Sequence, residues 1–141
     1  MRLHRVSGAR TRFRKAAAAV EFAVVSPLLF TAVLGIIEFG RAMMVLELLN
    51  NAARAGCRTG VLSGSDNSAV SSSVTTALSG SGISTTPTVQ VNGTTANAST
   101  AQTGDTVTVS VSVSADTVSW LPVTHFLTGK TLTGTVTMRR E

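Results

Sequence analysis

The hydrophobic pattern divides the chain into one long apolar run, a helical stretch and several alternating segments. The run from Ala16 to Ile37 carries a single charged residue, Glu21. As an α-helix it would be about 33 Å long, enough to cross a hydrocarbon core of about 30 Å. The run therefore predicts a transmembrane helix.

The helical pattern continues beyond the apolar run. Between Glu38 and Arg58, apolar residues recur at steps of three and four, which mark one face of a helix. These residues are Phe39, Ala42, Met43, Leu46, Leu49, Ala53 and Cys57. Glu38 and Arg41 fall on the more polar side, where we expect them to be solvated. The pattern predicts an amphipathic stem helix that continues the membrane helix and ends near Gly60.

The rest of the chain predicts a short helix and a small sheet. Ser65-Asp66 can cap a helix in which Val70 and Val74 follow helical spacing. Period-two alternation predicts strands over residues 86–91, 105–113 and 131–140. Each strand has one apolar face, which indicates a three-stranded antiparallel sheet with one face covered by the two helices and the other in water. The predicted fold class is α+β.

These elements suggest four consecutive regions. Residues 1–16 form a basic leader and residues 17–37 form the transmembrane helix. Residues 38–60 form the stem, and residues 61–141 form a small α+β domain outside the cytoplasm. The aromatic content of 4% and the abundance of Ser, Thr and Val limit the soluble core to a small one. A large enzyme-like cleft is therefore not expected.

The distribution of charge predicts the membrane topology. The net charge is +5, and six of the twelve basic residues precede the apolar run. They are Arg2, Arg5, Arg10, Arg12, Arg14 and Lys15. The positive-inside rule then holds the amino terminus in the cytoplasm and sends the carboxyl-terminal domain across the membrane. The remaining residues lack a basic face with interleaved aromatics, so no nucleic-acid partner is expected.

A cleavable signal peptide is a competing interpretation, because it also combines a basic start with an apolar stretch. The apolar run is longer than such peptides usually have. The sequence Gly35-Ile36-Ile37-Glu38 also lacks a small-x-small cleavage site, and the helical pattern continues past it. An uncleaved anchor at this position fits the sequence better.

Two residues inside the apolar run need explanation. A carboxylate such as Glu21 costs about 2.5 to 3.5 kcal/mol in a membrane helix, so it requires a partner or a function. Either it lies near enough to the cytoplasmic interface to reach headgroups or Lys15, or a positive charge created by cleavage and assembly offsets it. Pro27 removes one backbone hydrogen bond and predicts a kink, although membrane helices also tolerate prolines without a special role.

The densest apolar cluster outside the membrane run lies between the last two strands. It comprises Trp120, Leu121, Phe126 and Leu127. One interpretation is that this segment folds back over the small core. The other is that it forms an exposed contact for a partner subunit or the membrane surface.

The sequence contains few residues that could form a catalytic site. His4 and His125 are the two histidines, and Cys57 is the single cysteine. No nucleophile, base and orienting acid can be assembled from this set, and no cluster has metal-ligand spacing. We expect neither a cofactor nor an enzymatic activity. Cys57 is either a small buried residue near a helix end or a site of intermolecular bridging or lipidation.

Three motifs in the first sixty residues carry a family resemblance. Glu21 lies in Ala-Ala-Val-Glu-Phe-Ala, followed by Pro27-Leu28-Leu29. The second motif is Gly-Ile-Ile-Glu-Phe-Gly-Arg at residues 35–41, and the third is Asn-Ala-Ala-Arg-Ala-Gly-Cys-Arg at residues 51–58. In this order and spacing they resemble the TadE-like family of the tight-adherence (Tad) pilus system. The region around Lys15 and Glu21 also resembles the processing region of type IV pilin-like precursors.

This resemblance implies a minor pilin or pseudopilin in the bacterial inner membrane that helps to assemble or export a Flp-type adhesive pilus. A prepilin-type peptidase would cut between Ala16 and Ala17, and Glu21 would pair with the new amine of a neighbouring subunit. The implied partners are other pilin-like subunits and Tad assembly-platform proteins. Ala16 stands where such precursors usually carry glycine. The alternative is an uncleaved, signal-anchored scaffold or binding module of the envelope.

Overall fold

A computed structural model describes residues 7–119 and 127–141, with side chains from residue 14 onward. The chain divides into two compact units, Met1–Ile37 and Glu38–Glu141. Helix α1, Ser7–Gly60, contributes to both units. It runs as one helix through the segments predicted as membrane helix and stem.

The second unit contains the remaining elements. In chain order these are α2 (Asn67–Ala77), β1 (Thr88–Val91), β2 (Thr94–Thr95), a 3-10 helix (Ala98–Thr100), β3 (Thr106–Ser114), α3 (Ala115–Val118) and β4 (Thr131–Arg139). Helix α2 begins where the sequence predicted, because the Asp66 carboxylate accepts a hydrogen bond of 2.9 Å from the backbone N–H of Ala69. This bond satisfies one of the free amides at the start of the helix.

The sheet has four strands in the order β2-β1-β3-β4, and every neighbouring pair is antiparallel. The prediction of three strands was wrong because it missed β2. Asn92 (φ 49°) and Gly93 (φ 80°) form a two-residue turn that pairs Val91 with Thr94. Asn-Gly is the preferred sequence for such hairpins, since both residues tolerate a positive φ.

The core of the second unit lies between one face of the sheet and the helices. Val107, Val109 and Val111 of β3 are fully buried on this face. A Cβ added at Gly56 of α1 would lie 2.7 Å from Val74 Cγ2 of α2 and 3.3 Å from Val109 Cγ1. The glycine therefore permits close packing of α1 against both α2 and the sheet. The predicted burial of one sheet face under two helices is confirmed.

The opposite face of the sheet carries hydroxyl groups. The side-chain oxygens of Thr108 and Thr137 are 2.8 Å apart, and those of Ser110 and Thr135 are 3.0 Å apart. Each pair joins directly opposite residues of β3 and β4. These cross-strand hydrogen bonds support the register that the valines on the other face require.

The buried stripe of α1 in the second unit differs from the predicted one. Phe39 and Met43 are 64% and 53% exposed, whereas Val45 and Ala52 are fully buried. The prediction merged two neighbouring apolar stripes, and the sheet covers only one of them.

Glu38, which was predicted to be solvated, is 3% exposed. It lies on the buried stripe because Ala42, Val45 and Leu49 follow it at steps of four, three and four.

Candidate functional site

Nearly all of the large apolar side chains of α1 between Val20 and Ile37 are exposed, and Leu34 is half-buried. Leu28 is 74% exposed and Val24 is 71% exposed. This helix contains an 18-residue window with a mean hydropathy of 2.2, none of which is buried. A surface of this size and composition is costly in water, so by length and composition the helix is a candidate membrane span.

The residues predicted for processing and subunit contact lie on this surface. Ala16, Ala17 and Glu21 are all exposed. Ala17 and Glu21 are four positions apart in one helix, which places them on the same face. Among the side chains that the structure describes, none forms an ion pair with Glu21. The carboxylate is therefore presented on an apolar surface, and no cation from residue 14 onward in the described ranges pairs with it.

Pro27 lies inside α1. It has no amide hydrogen, so the carbonyl of Ala23 loses its usual helical donor. One turn further on, the Thr31 hydroxyl donates a hydrogen bond of 2.8 Å to the carbonyl of Pro27. The kink at Pro27 stays a prediction.

Glu38 lines a small surface depression in the second unit. The other lining residues are Arg41, Ala42, Ala115, Val118, Ser119, Leu127 and Leu132. The Glu38 Oε2 atom is buried and has no hydrogen-bond partner within the described ranges. Arg41 Nε donates a hydrogen bond of 3.3 Å to the carbonyl of Val118. The depression thus combines a carboxylate with one buried, unpartnered oxygen, a guanidinium that is hydrogen-bonded to the backbone, and mostly apolar walls.

Sequence reasoning did not identify Glu38 as a site. The signal was present, because the residue shares a helical stripe with Ala42 and Leu49. The acidic side chain and the nearby Arg41 led us to predict a solvated position for Glu38. The residues of α3 and β4 that cover Glu38 are distant from it in sequence. The burial of Glu38 is therefore a tertiary effect.

The predicted partner cluster lies mainly outside the described residues. Trp120, Leu121 and Phe126 belong to the segment of which the structure gives no description. Leu127 is half-buried, packs against the core and lines the same depression as Glu38. Both interpretations of the full cluster stay predictions.

Cys57 is a buried core residue, as one of the two interpretations predicted. It is fully buried, and its thiol donates a hydrogen bond of 3.2 Å to the carbonyl of Val107. Burial raises the pKa of the Cys57 thiol and outweighs the opposite effect of backbone groups of Met138 and Val109. The neutral thiol makes its full contribution to the free energy of unfolding below the pKa of a free thiol, about 8.5. This contribution is lost as the pH rises through the higher pKa that the thiol has in the folded protein.

We expect Cys57 to resist alkylation by iodoacetamide at pH 8 until the second unit unfolds. The raised pKa and the burial should slow the reaction at least about 100-fold relative to an exposed cysteine. The matched control is the double variant Cys57→Ala, Ser72→Cys, because Ser72 is exposed on α2. Intact mass after timed quenching gives the rates, and equal rates would contradict the buried position.

No group of three or more His, Cys, Asp or Glu side chains in the described part of the chain is arranged to hold a metal ion. His4 and His125 both lie outside the described residues.

An exposed apolar helix followed by a small α+β unit defines a class of candidate membrane-anchored proteins. Within this class, the family model described as TadE-like protein matches residues 16–58. The match spans the three motifs around Glu21, Glu38 and Arg54, so the resemblance predicted from the sequence is confirmed for this segment. No curated protein and no solved structure matches the chain.

Proposed function

We propose that this chain is a TadE-like minor pilin or pseudopilin that takes part in the assembly or export of a Flp-type pilus. It acts without catalysis, through packing of α1 against other pilin-like helices in the bacterial inner membrane. One observation carries the proposal: the segment that matches the TadE-like family includes the exposed apolar surface of α1.

The basic residues before the apolar run support a topology with the amino terminus in the cytoplasm. The second unit then lies on the periplasmic or extracytoplasmic side. Prepilin-type peptidase, other pilin-like subunits and Tad assembly-platform proteins are the proposed partners.

The proposed mechanism begins with cleavage between Ala16 and Ala17. The cut removes the basic leader and creates an amine on Ala17. Glu21 of a neighbouring subunit pairs with this amine, which offsets the cost of a carboxylate in hydrocarbon. The exposed position of both residues on one face of α1 supports such a contact between subunits.

The alternative function is an uncleaved, signal-anchored scaffold or binding module of the envelope. Ala16 favours this alternative, because pilin-like precursors usually carry glycine before the cut.

Intact mass spectrometry of the membrane-extracted protein tests the proposal. In cells that contain the peptidase, we expect the mass to fall by that of residues 1–16, and in cells without the peptidase we expect the full mass. The variant Ala16→Gly should be processed at least as completely, since it restores the usual residue. A full-length mass for both proteins in the presence of active peptidase would contradict the processing and favour the uncleaved scaffold.

A further inference from the structure

Strand β4 is a long edge of the sheet. It contains nine residues and pairs with β3 residue by residue, without a bulge. In the described part of the chain, no strand lies on its other side. The opposite edge of the sheet is β2, which has two residues. Natural proteins usually keep edge strands short or interrupt them with a proline, a charge or a bulge, because a long free edge pairs with other chains. From Thr131 to Met138, β4 has none of these interruptions.

The backbone groups on the open edge of β4 belong to alternate residues. At the two ends of the ladder, the Ala115 N–H donates a hydrogen bond of 2.9 Å to the carbonyl of Lys130, and the Arg140 N–H donates one of 2.8 Å to the carbonyl of Asp105. In an antiparallel ladder, residues bonded to the partner strand alternate with residues that point away from it. The even-numbered residues of β4 are therefore bonded to β3. The N–H and C=O groups that point to the open edge, without a partner in the described ranges, belong to Thr131, Thr133, Thr135 and Thr137.

The side chains beside this edge specify two different faces. Val136 and Met138 lie on the core side, where they are half-buried and pack against the core. A strand added beside β4 would cover the exposed parts of these two side chains if its own residues on that side were apolar. On the other side, the hydroxyl groups of Thr135 and Thr137 are paired with hydroxyl groups of β3. An added strand that continues this pattern alternates apolar residues with Ser or Thr.

Charge at the ends of β4 specifies the ends of the added strand. Lys130 precedes the strand and Arg139 is its last residue, and both side chains are exposed. The eight residues between them carry no charge. An opposite charge beside each cation is favourable, whereas a like charge on a directly neighbouring strand is destabilising. The complementary segment is therefore uncharged in the middle and acidic at both ends.

We propose that the open edge of β4 binds an extended segment of a partner protein by strand addition. In this segment apolar residues alternate with Ser or Thr, and an acidic residue lies at each end. Main-chain hydrogen bonds to the outward groups of β4 supply the affinity, and the side chains supply the specificity. The contact uses residues of the second unit alone, so it does not depend on the proposed membrane packing of α1.

Residue-resolved amide exchange, measured by NMR on the full-length protein in detergent micelles, tests whether the edge is open. We expect the amides of Thr133, Thr135 and Thr137 to exchange at least about 100-fold faster than those of Gly134 and Val136, which are bonded to β3. Protection of the three threonine amides in the protein alone would overturn the proposal, because another part of this chain or a second copy would then occupy the edge.

A synthetic peptide then tests the chemistry of the partner. The probe is the blocked peptide Glu-Thr-Val-Thr-Val-Thr-Val-Thr-Glu, and its control carries lysine in place of both glutamates. We expect the probe to slow exchange of the three threonine amides at least about tenfold, and the lysine peptide to leave it unchanged. No slowing by the probe, or equal slowing by both peptides, would overturn the proposed partner.

The variant Thr135→Pro tests the main-chain contact itself. It removes one outward N–H, and an edge strand accepts proline where the N–H faces solvent. We expect about tenfold weaker binding of the probe, measured by fluorescence anisotropy, because one bond is lost and the ring obstructs its neighbours. The control Thr135→Val also lacks the hydroxyl but keeps the amide, so it should bind normally. Protection of Cys57 from alkylation verifies the fold of both variants. Equal affinity of the two folded variants would overturn strand addition, and the wild-type exchange data decide the question if Thr135→Pro does not fold.

Discussion

Replacing Gly134 by alanine should strongly destabilise the unit Glu38–Glu141. A Cβ at this position of β4 would lie 2.5 Å from the backbone nitrogen of Asn50 and 2.5 Å from the carbonyl carbon of Leu49. Both are backbone atoms of α1, so no side-chain rotation relieves the overlap. The helix and the sheet must separate, which we expect to lower the free energy of unfolding by about 3 kcal/mol or more.

The labelling of Cys57 provides the measurement for Gly134→Ala. Because this thiol is buried in the second unit, its alkylation as the temperature rises reports the unfolding of that unit specifically. We expect the midpoint temperature of Cys57 labelling to be at least about 10 °C lower in Gly134→Ala than in the wild-type protein. The control is Gly40→Ala, since a Cβ at Gly40 meets no atom within 4 Å and should stabilise the helix by at most about 1 kcal/mol. Equal midpoints for the two variants would show that β4 does not pack closely against α1.

Replacing Glu21 by alanine should strongly reduce pilus assembly while leaving membrane insertion intact. The substitution removes a carboxylate from the exposed apolar surface of α1, which favours insertion by about 2.5 to 3.5 kcal/mol. In the proposed assembly, it also removes the group that would pair with the Ala17 amine of a neighbouring subunit. We therefore expect at least about tenfold fewer pili per inserted protein, because a charge-assisted contact in hydrocarbon is lost.

Two further variants separate charge from shape at this position. Glu21→Gln keeps the size of the side chain but removes its charge, and it should also reduce pilus assembly. Glu47→Ala changes an exposed glutamate outside the apolar segment, and this control should assemble pili normally. Pili are counted by electron microscopy, and inserted protein is measured after carbonate extraction. Normal pilus numbers in an inserted Glu21→Ala protein would refute the pairing role.

Much of the second unit could be predicted because its signals are local. The valines of β3 alternate with Thr and Ser, and this period fixes both the strand and its buried face. Asp66 caps α2 through a bond to an amide three residues away, so a short motif was enough to place the helix start. The motifs within residues 16–58 likewise sufficed for the family resemblance.

The missed features depend on residues that are distant in sequence. Apolar residues occur on more than one side of α1 after Ile37, and the positions of α2 and the sheet decide that Val45 is buried and Met43 is not. Glu38 is buried for the same reason. Strand β2 was missed for a different reason. Asn92-Gly93 is a sufficient signal for a hairpin, but the strand that follows has only two residues, which are too few to show period-two alternation.

The contact of Gly134 with α1 determines when the second unit can fold during synthesis. Leu49 leaves the ribosome early, whereas β4 is the last strand along the chain. The core requires both, so it closes only after nearly the whole unit has been made. Until then the edge of β3 that β4 later occupies is unpaired, and the growing chain is vulnerable to aggregation through this edge.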